Sequence, residues 1–337
     1  MNILITSHFF YPSLGGIETV TELLALYFSN SGHSVRVITQ SPTTDYDDKI
    51  FPYIVIRNPS LCSLLSNFNW SDVVLQNNLE ARQLWPLLIF RRPLVISIHT
   101  WIRTSAGVRG LLQYFKLLLL RLADQLIAAS DSLREDTAKR AQVVGNPFND
   151  SLFRVLPDVS RSHSIVFLGR LVSDKGVDML LKAFAGLPTN NWRISLIGDG
   201  PERSILEQLA NDLGILKYVD FLGSLQGDQL VHQLNQHEIL VVPSRWKEPF
   251  GVVVLEGLAC GCAVLASDGG GLPDAVGPAG LLYRHGDIVD FQSKLWNLMV
   301  SSDLREALKS KSESHLLKFR QNTVCRSYLD ILMLASL

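Results

Sequence analysis

Long apolar runs are scarce in this 337-residue chain: none reaches eighteen uninterrupted residues, and the nearest, around Leu117 to Leu120, is flanked by Lys116, Arg121 and Asp124. A membrane-spanning helix is therefore not expected. Cysteine is sparse as well. Cys62, Cys260, Cys262 and Cys325 form no C-x-x-C framework, which excludes a small disulfide scaffold and fits reduced thiols in a cytosolic compartment. The formal net charge is only -1, from 31 Lys and Arg against 32 Asp and Glu, so the overall balance recruits no nucleic acid by counterion release. The first residues lack the basic leader and cleavage site of a signal peptide, and Ile3-Leu4-Ile5 reads as an opening strand. The G-x-G-x-x-G fingerprint is missing, which counts against a nicotinamide dehydrogenase. No D-x-D pair with a metal role stands out either, since Asp45, Asp47 and Asp48 occupy a polar, surface-like stretch.

What remains is a globular composition, 47% apolar and 19% charged, in a chain longer than a single hydrophobic core usually grows. Short aliphatic runs alternate with helical patterns. The segment 2–6 reads as a strand, 16–31 as a helix and 34–39 as a second strand after the break at Gly32, the order of a parallel sheet. The polar stretch 150–164 resembles a linker, after which the same alternation restarts at 164–168. The expected fold class is α/β, with two Rossmann-like, doubly wound parallel-sheet domains facing across a cleft. Residues 1–155 form the first and 156–319 the second, and a final helix at about 320–337 packs back on the first. Ligands in such sheets bind outside the carboxyl ends of the strands.

The richest segment is Pro243-Ser244-Arg245-Trp246-Lys247-Glu248-Pro249-Phe250-Gly251, running into Val252-Val253-Val254-Leu255-Glu256. A strand ends, a loop carries Glu248, and a helix begins near Gly251. The first amides of a helix have no intrahelical acceptor and, with the dipole, favour an anion such as a diphosphate. Glu256 can take hydrogen bonds from a pair of ribose hydroxyls, and Glu248 from sugar hydroxyls. A capped core helix with two solvated acids explains these residues equally well. In Phe167-Leu168-Gly169-Arg170-Leu171 followed by Asp174-Lys175-Gly176, a strand delivers Arg170 into a loop with Lys175 five residues on. The two cations can meet one anion. Between the first strand and helix lie Gly15 and Gly16, where a backbone can approach a ligand or simply turn. Val95-Ile96-Ser97-Ile98-His99 is a buried-looking strand that ends in an imidazole.

Glu248 and Glu256, eight positions apart with Pro-Phe-Gly after the first, resemble the paired-glutamate motif of the family-4 retaining glycosyltransferases of GT-B fold (glycosyl transferases group 1). Ala259-Cys260-Gly261-Cys262-Ala263-Val264, Gly269-Gly270-Gly271-Leu272-Pro273-Asp274 and Gly280-Leu281-Leu282 are similar to the segments that follow it there, with Asp274 where Glu is commoner. Asn146, in Gly145-Asn146-Pro147-Phe148, resembles the family's Asn-Gly loop without its glycine. The resemblance implies catalytic roles for His99, Arg170, Lys175 and Glu248. It implies donor contacts from Gly15, Gly16, Arg170, Lys175, Glu248, Phe250, Gly251, Val252 and Glu256, with no metal and no cofactor besides the nucleotide-sugar donor. His99 would touch the transferred sugar, the first domain would lie on the acceptor side and the second would bind the nucleotide sugar.

The implied reaction moves a hexose-type sugar from a UDP- or GDP-sugar to a glycan or lipid-linked acceptor with retention, in cell-surface polysaccharide or glycolipid synthesis. A non-catalytic nucleotide-sugar-binding subunit and a GT-B-type phosphorylase or epimerase are the alternatives. The segment of about 103–121 mixes Leu, Phe and Tyr with Arg109, Lys116 and Arg121. A helix lying on an anionic membrane surface and a core helix with a solvated edge account for it equally. The expected location is the cytoplasm, with peripheral contact at the inner face of the plasma membrane left open.

Overall fold

The computed structural model describes residues 1–12, 16–42, 48–102, 110–188 and 191–337. Two compact units emerge, Met1–Pro147 with Gln321–Leu337, and Phe148–Arg320.

In the first unit the chain runs through β1 (Asn2–Ser7), α1 (Gly16–Asn30), β2 (Ser34–Thr39), β3 (Ile54–Arg57), α2 (Leu61–Trp70), β4 (Val73–Asn77) and β5 (Leu94–Ile98). It continues through α3 (Leu111–Leu120), β6 (Gln125–Ala128), α4 (Asp131–Thr137) and β7 (Gln142–Val143). All seven strands are parallel, in the order β3-β2-β1-β4-β5-β6-β7. Ile3, Leu4 and Ile5 are fully buried, because a strand inside a parallel sheet is covered on both faces and so needs a continuous apolar run. α1 buries Val20, Thr21, Leu24, Ala25 and Phe28, a stripe at helical spacing.

The second unit repeats the plan with β8 (Ser162–Leu168), α5 (Val177–Ala185), β9 (Arg193–Ile197), α6 (Arg203–Asp212), β10 (Val219–Gly223), α7 (Gly227–Gln236) and β11 (His237–Val242). α8 (Val252–Ala259), β12 (Ala263–Ser267), α9 (Leu272–Val276), β13 (Gly280–Tyr283), α10 (Ile288–Val300), α11 (Ser302–Lys309) and α12 (Ser312–Leu316) complete it. The strand order is β10-β9-β8-β11-β12-β13, again all parallel.

The units part after Pro147 rather than at residue 155. The Phe148 amide donates to the Phe319 carbonyl at 3.3 Å and Phe148 bridges to Arg320, so both ends of the second unit are tied together. The polar stretch read as a linker is held too: the Leu156 amide donates to Asn235 Oδ1, and Asn235 Nδ2 donates to the Arg154 carbonyl. The closing helix, α13 (Gln321–Ala335), belongs to the first unit, where Val324, Tyr328 and Leu332 join Leu24 and Phe28 in one core. Among the described residues no helix is long and apolar enough to cross a membrane.

Candidate active site

In each sheet the winding direction reverses once, and ligands bind at that switch point, beyond the carboxyl ends of the two strands that flank it. In the second unit those strands are β8 and β11. β8 hands the chain to Gly169 and Arg170, and β11 hands it to the loop bearing Ser244 and Glu248. Here Lys175 Nζ donates to Glu248 Oε1 at 2.6 Å and Ser244 Oγ donates to the same oxygen at 2.8 Å. Glu248 Oε2 has no hydrogen-bond partner among the described residues. Arg170 is exposed, with its guanidinium unpaired among the described residues.

Close backbone packing holds these loops. Gly176 has φ +70°, and a Cβ there would lie 2.1 Å from the Pro243 carbonyl oxygen, so only glycine lets the Lys175 turn sit against the end of β11. The Asp174 carbonyl accepts from the amides of Arg245 and Trp246, at 2.8 and 3.1 Å, stitching the lysine loop to the glutamate loop. On the other side, Gly270, at φ +71°, brings its backbone against Glu248, whose carbonyl accepts from the Gly271 amide at 2.7 Å.

α8 starts at Gly251, which has φ 105° and supplies no side-chain cap. The amides of Val252 and Val253 have no acceptor among the described residues, leaving donors at a positive helix end. Glu256 follows one turn on. Its side chain is partly exposed, yet burial of the carboxyl pushes its pKa up to about 7, and no group among the described residues hydrogen-bonds it. The Phe250 ring is buried and lies 5.4 Å from the ring of Phe319, so it anchors the loop in the core and leaves only backbone to a ligand.

Gly15 lies outside the described residues. Gly16 opens α1, is exposed and has open space where a Cβ would be. His99 follows β5 and is buried, and burial pushes its pKa down to about 4. The ring is therefore neutral and carries one N–H. Asn77 Nδ2 donates to the Ile17 carbonyl and to Thr21 Oγ1, which turns Asn77 Oδ1 toward His99 Nε2 at 2.8 Å and puts the proton on that nitrogen. Nδ1, 3.0 Å from the Asn146 amide group, is then an acceptor, and Asn146 must present its NH2 to it. Both ring nitrogens are thus occupied, and in this conformation His99 is a satisfied structural histidine.

Sequence reasoning passed over Ser244, the second donor to Glu248. It also missed Gly198 and Gly200, where a Cβ would lie 1.9 and 2.3 Å from the carbonyl oxygens of Gly169 and Leu171, either side of Arg170. The run Gly198-Asp199-Gly200-Pro201 at a strand end was the available signal.

Two tandem doubly wound sheets, one with an open helix start and a Lys–Glu pair at its switch point, define the GT-B class. Solved structures carry the same fold. Anabaena HepE in complex with UDP has a TM-score of 0.83 at 21% identity over all of both chains. A glycosyltransferase from Rickettsia africae has 0.80 at 16%, over 99% of this chain and 98% of the other. Within that class the chain belongs to glycosyltransferase family 4: the family described as "Glycosyltransferase Family 4" matches residues 14–148 and "Glycosyl transferases group 1" residues 149–315. Its relatives include a D-inositol 3-phosphate glycosyltransferase of Corynebacterium jeikeium, 38% identical over 47% of this chain, and the sulfoquinovosyl transferase of Arabidopsis thaliana, 32% identical over 46%. The matched segments span 40% and 30% of those two proteins. The N-acetyl-alpha-D-glucosaminyl L-malate synthase of Bacillus anthracis is 24% identical over 95% of this chain and 94% of its own length.

Proposed function

We propose that the chain is a retaining hexosyltransferase that moves the sugar of a UDP- or GDP-sugar to a glycan or lipid-linked acceptor without a metal ion, in cell-surface polysaccharide or glycolipid synthesis. The observation that carries this reading is the grouping at the second unit's switch point: the Lys175–Glu248 pair, exposed Arg170 and the open amides of Val252 and Val253. The amides and Arg170 grip a diphosphate. Lys175, shared between that diphosphate and Glu248, links phosphate binding to the carboxylate that receives sugar hydroxyls. Catalysis is then mostly positioning and stabilisation of the departing diphosphate, which takes the acceptor proton on the face it leaves. His99 can take a ligand hydroxyl only if Nδ1 exchanges Asn146 for it. HepE was solved with UDP and glucose, which makes UDP-glucose the first donor to try.

The test is release of nucleoside diphosphate from UDP- and GDP-hexoses in the presence of EDTA, with the product anomer read by NMR. The expected result is turnover with one base, a retained anomer, and a loss of about a hundredfold or more in Arg170→Ala with the fold intact. Wild-type turnover in Arg170→Ala overturns the assignment.

Of the segment of about 103–121, residues 103–109 lie outside the described residues, and the membrane contact is proposed for its remainder together with the neighbouring segment 84–92. A groove of about 740 Å³ in the first unit is lined by Leu84, Leu88, Leu118 and Leu122 with Arg91 and Arg92. Leu88 is 85% exposed and Leu122 63%, and Lys116 and Arg121 lie on or next to α3. Exposed leucines among cations complement an anionic bilayer. Co-flotation with phosphatidylglycerol liposomes, reduced by Leu88→Asp with Leu122→Asp, is the expected result; flotation unchanged by both substitutions refutes it.

A further inference from the structure

The first unit has its own switch point, between β1 and β4, and the proposed donor chemistry leaves it unused. A cavity of about 280 Å³ opens there, lined by His8, Phe9, Ile17, Asn78 and Glu80 among others. Four features make it more than a gap between loops. His8 Nδ1 lies 2.8 Å from Glu80 Oε1; a carboxylate only accepts, so the proton sits on Nδ1, and in the neutral ring Nε2 keeps its lone pair. The imidazole is steadied by an edge contact with the Phe9 ring, at 4.3 Å and 82°. Phe9 itself is 53% exposed, which leaves apolar ring surface beside the imidazole. Glu80 Oε2 is buried without a hydrogen-bond partner among the described residues, a cost that a hydroxyl donor would remove.

Asn78 connects this cavity to the histidine described above. It has φ +66°, a left-handed conformation that asparagine adopts more readily than other residues with a side chain, and its amide donates to the Ser97 carbonyl at 3.0 Å. Its Oδ1 accepts from Thr100 Oγ1 at 3.1 Å. The loop that shapes the cavity is thereby fixed to the loop that carries His99.

We infer that this cavity is the acceptor subsite and that it takes a neutral polyhydroxylated ring, with His8 Nε2 and Glu80 accepting hydrogen bonds from ring hydroxyls and the apolar face of the ring lying on Phe9. The inference rests on the transferase reading and adds to it a class of acceptor. A phosphorylated acceptor fits poorly, because its charge would meet the Glu80 carboxylate. His8 and Glu80 act here as positioning groups: they hold the acceptor and transfer no proton.

Saturation-transfer NMR on the whole protein separates the possibilities, with methyl α-glucoside and myo-inositol as neutral probes and glucose 6-phosphate and myo-inositol 1-phosphate as charged ones. UDP-induced thermal stabilisation, recorded on every variant, reports the second unit independently. The expected result is binding of a neutral probe by the wild type, weakened about tenfold in His8→Ala and in Phe9→Ala, with UDP stabilisation unchanged. Glu80→Gln is expected to narrow the preference for neutral over phosphorylated probes. Three results overturn the subsite while leaving the donor site standing: no neutral probe bound by a wild type that binds UDP, equal binding in His8→Ala and Phe9→Ala, or tighter binding of the phosphorylated probes. Loss of UDP stabilisation in the wild type strikes the transferase reading instead.

Discussion

At the scale of single residues, two buried groups set opposite pH responses. The neutral form of His99 is favoured in the fold, with its pKa pushed down to about 4, whereas the unfolded imidazole titrates near its ordinary value of 6.5. Its contribution to stability is therefore complete above 6.5 and is lost as pH falls toward 4, about 3 kcal/mol in all. For Glu256, pushed up to about 7, the sign reverses: stability is greatest below 4.5 and declines as pH rises through 7, by at most about 3 kcal/mol. Urea unfolding of His99→Gln should show a shallower acid loss than the wild type, and Glu256→Gln a shallower loss toward pH 8. Glu256 also bears on binding. Ribose hydroxyls favour the ionised carboxylate, so nucleoside diphosphate binding should release a proton from it near pH 7. Titration calorimetry in two buffers of different ionisation enthalpy should detect that proton in the wild type and less of it in Glu256→Gln; equal release would remove Glu256 from the ribose.

At the scale of elements, glycines decide where the charged residues stand. In Gly270→Ala the new Cβ would lie 2.3 Å from the Glu248 carbonyl oxygen at a φ of +71°, so the glutamate loop must move. Gly214 has a similar φ, +69°, with nothing within 4 Å of a Cβ. Both alanine variants should lose about 1–2 kcal/mol from left-handed strain, but only Gly270→Ala should also weaken nucleotide binding, which a thermal shift with UDP measures directly. These elements also show what was legible beforehand. Strands β1, β8 and β11 could be read from the sequence because burial on both faces demands continuous aliphatic runs. The paired glutamates and Arg170 could be read because strand, loop and helix start follow one another without interruption. β3 escaped because an edge strand is half-exposed and carries a short, weak pattern. α2 had a signal, Ser60 capping the Ser63 amide ahead of buried Leu64 and Phe68, that went unread. Residues brought together by topology alone could not be read at all: His8 and Glu80 are 72 positions apart, and nothing local to either announces the other.

At the scale of the whole molecule, the chain repeats one device. Each unit is a parallel sheet whose winding reverses once, β1 against β4 and β8 against β11, and polar side chains stand at each reversal. Charge divides the labour. The second unit places cations and open amides at its reversal, which suits the anionic donor proposed above; the first places an imidazole, a carboxylate and an aromatic ring there, which suits the neutral polyol inferred above. The measurement that bears most directly on this division is thermal unfolding of the purified protein with nucleoside diphosphates and nucleotide sugars in the presence of EDTA, since a ligand that binds only the folded state raises Tm. A rise with one base, abolished in Arg170→Ala and retained in His8→Ala, is the expected outcome. No rise with any nucleotide, or a rise that survives in Arg170→Ala, would contradict the donor site described here.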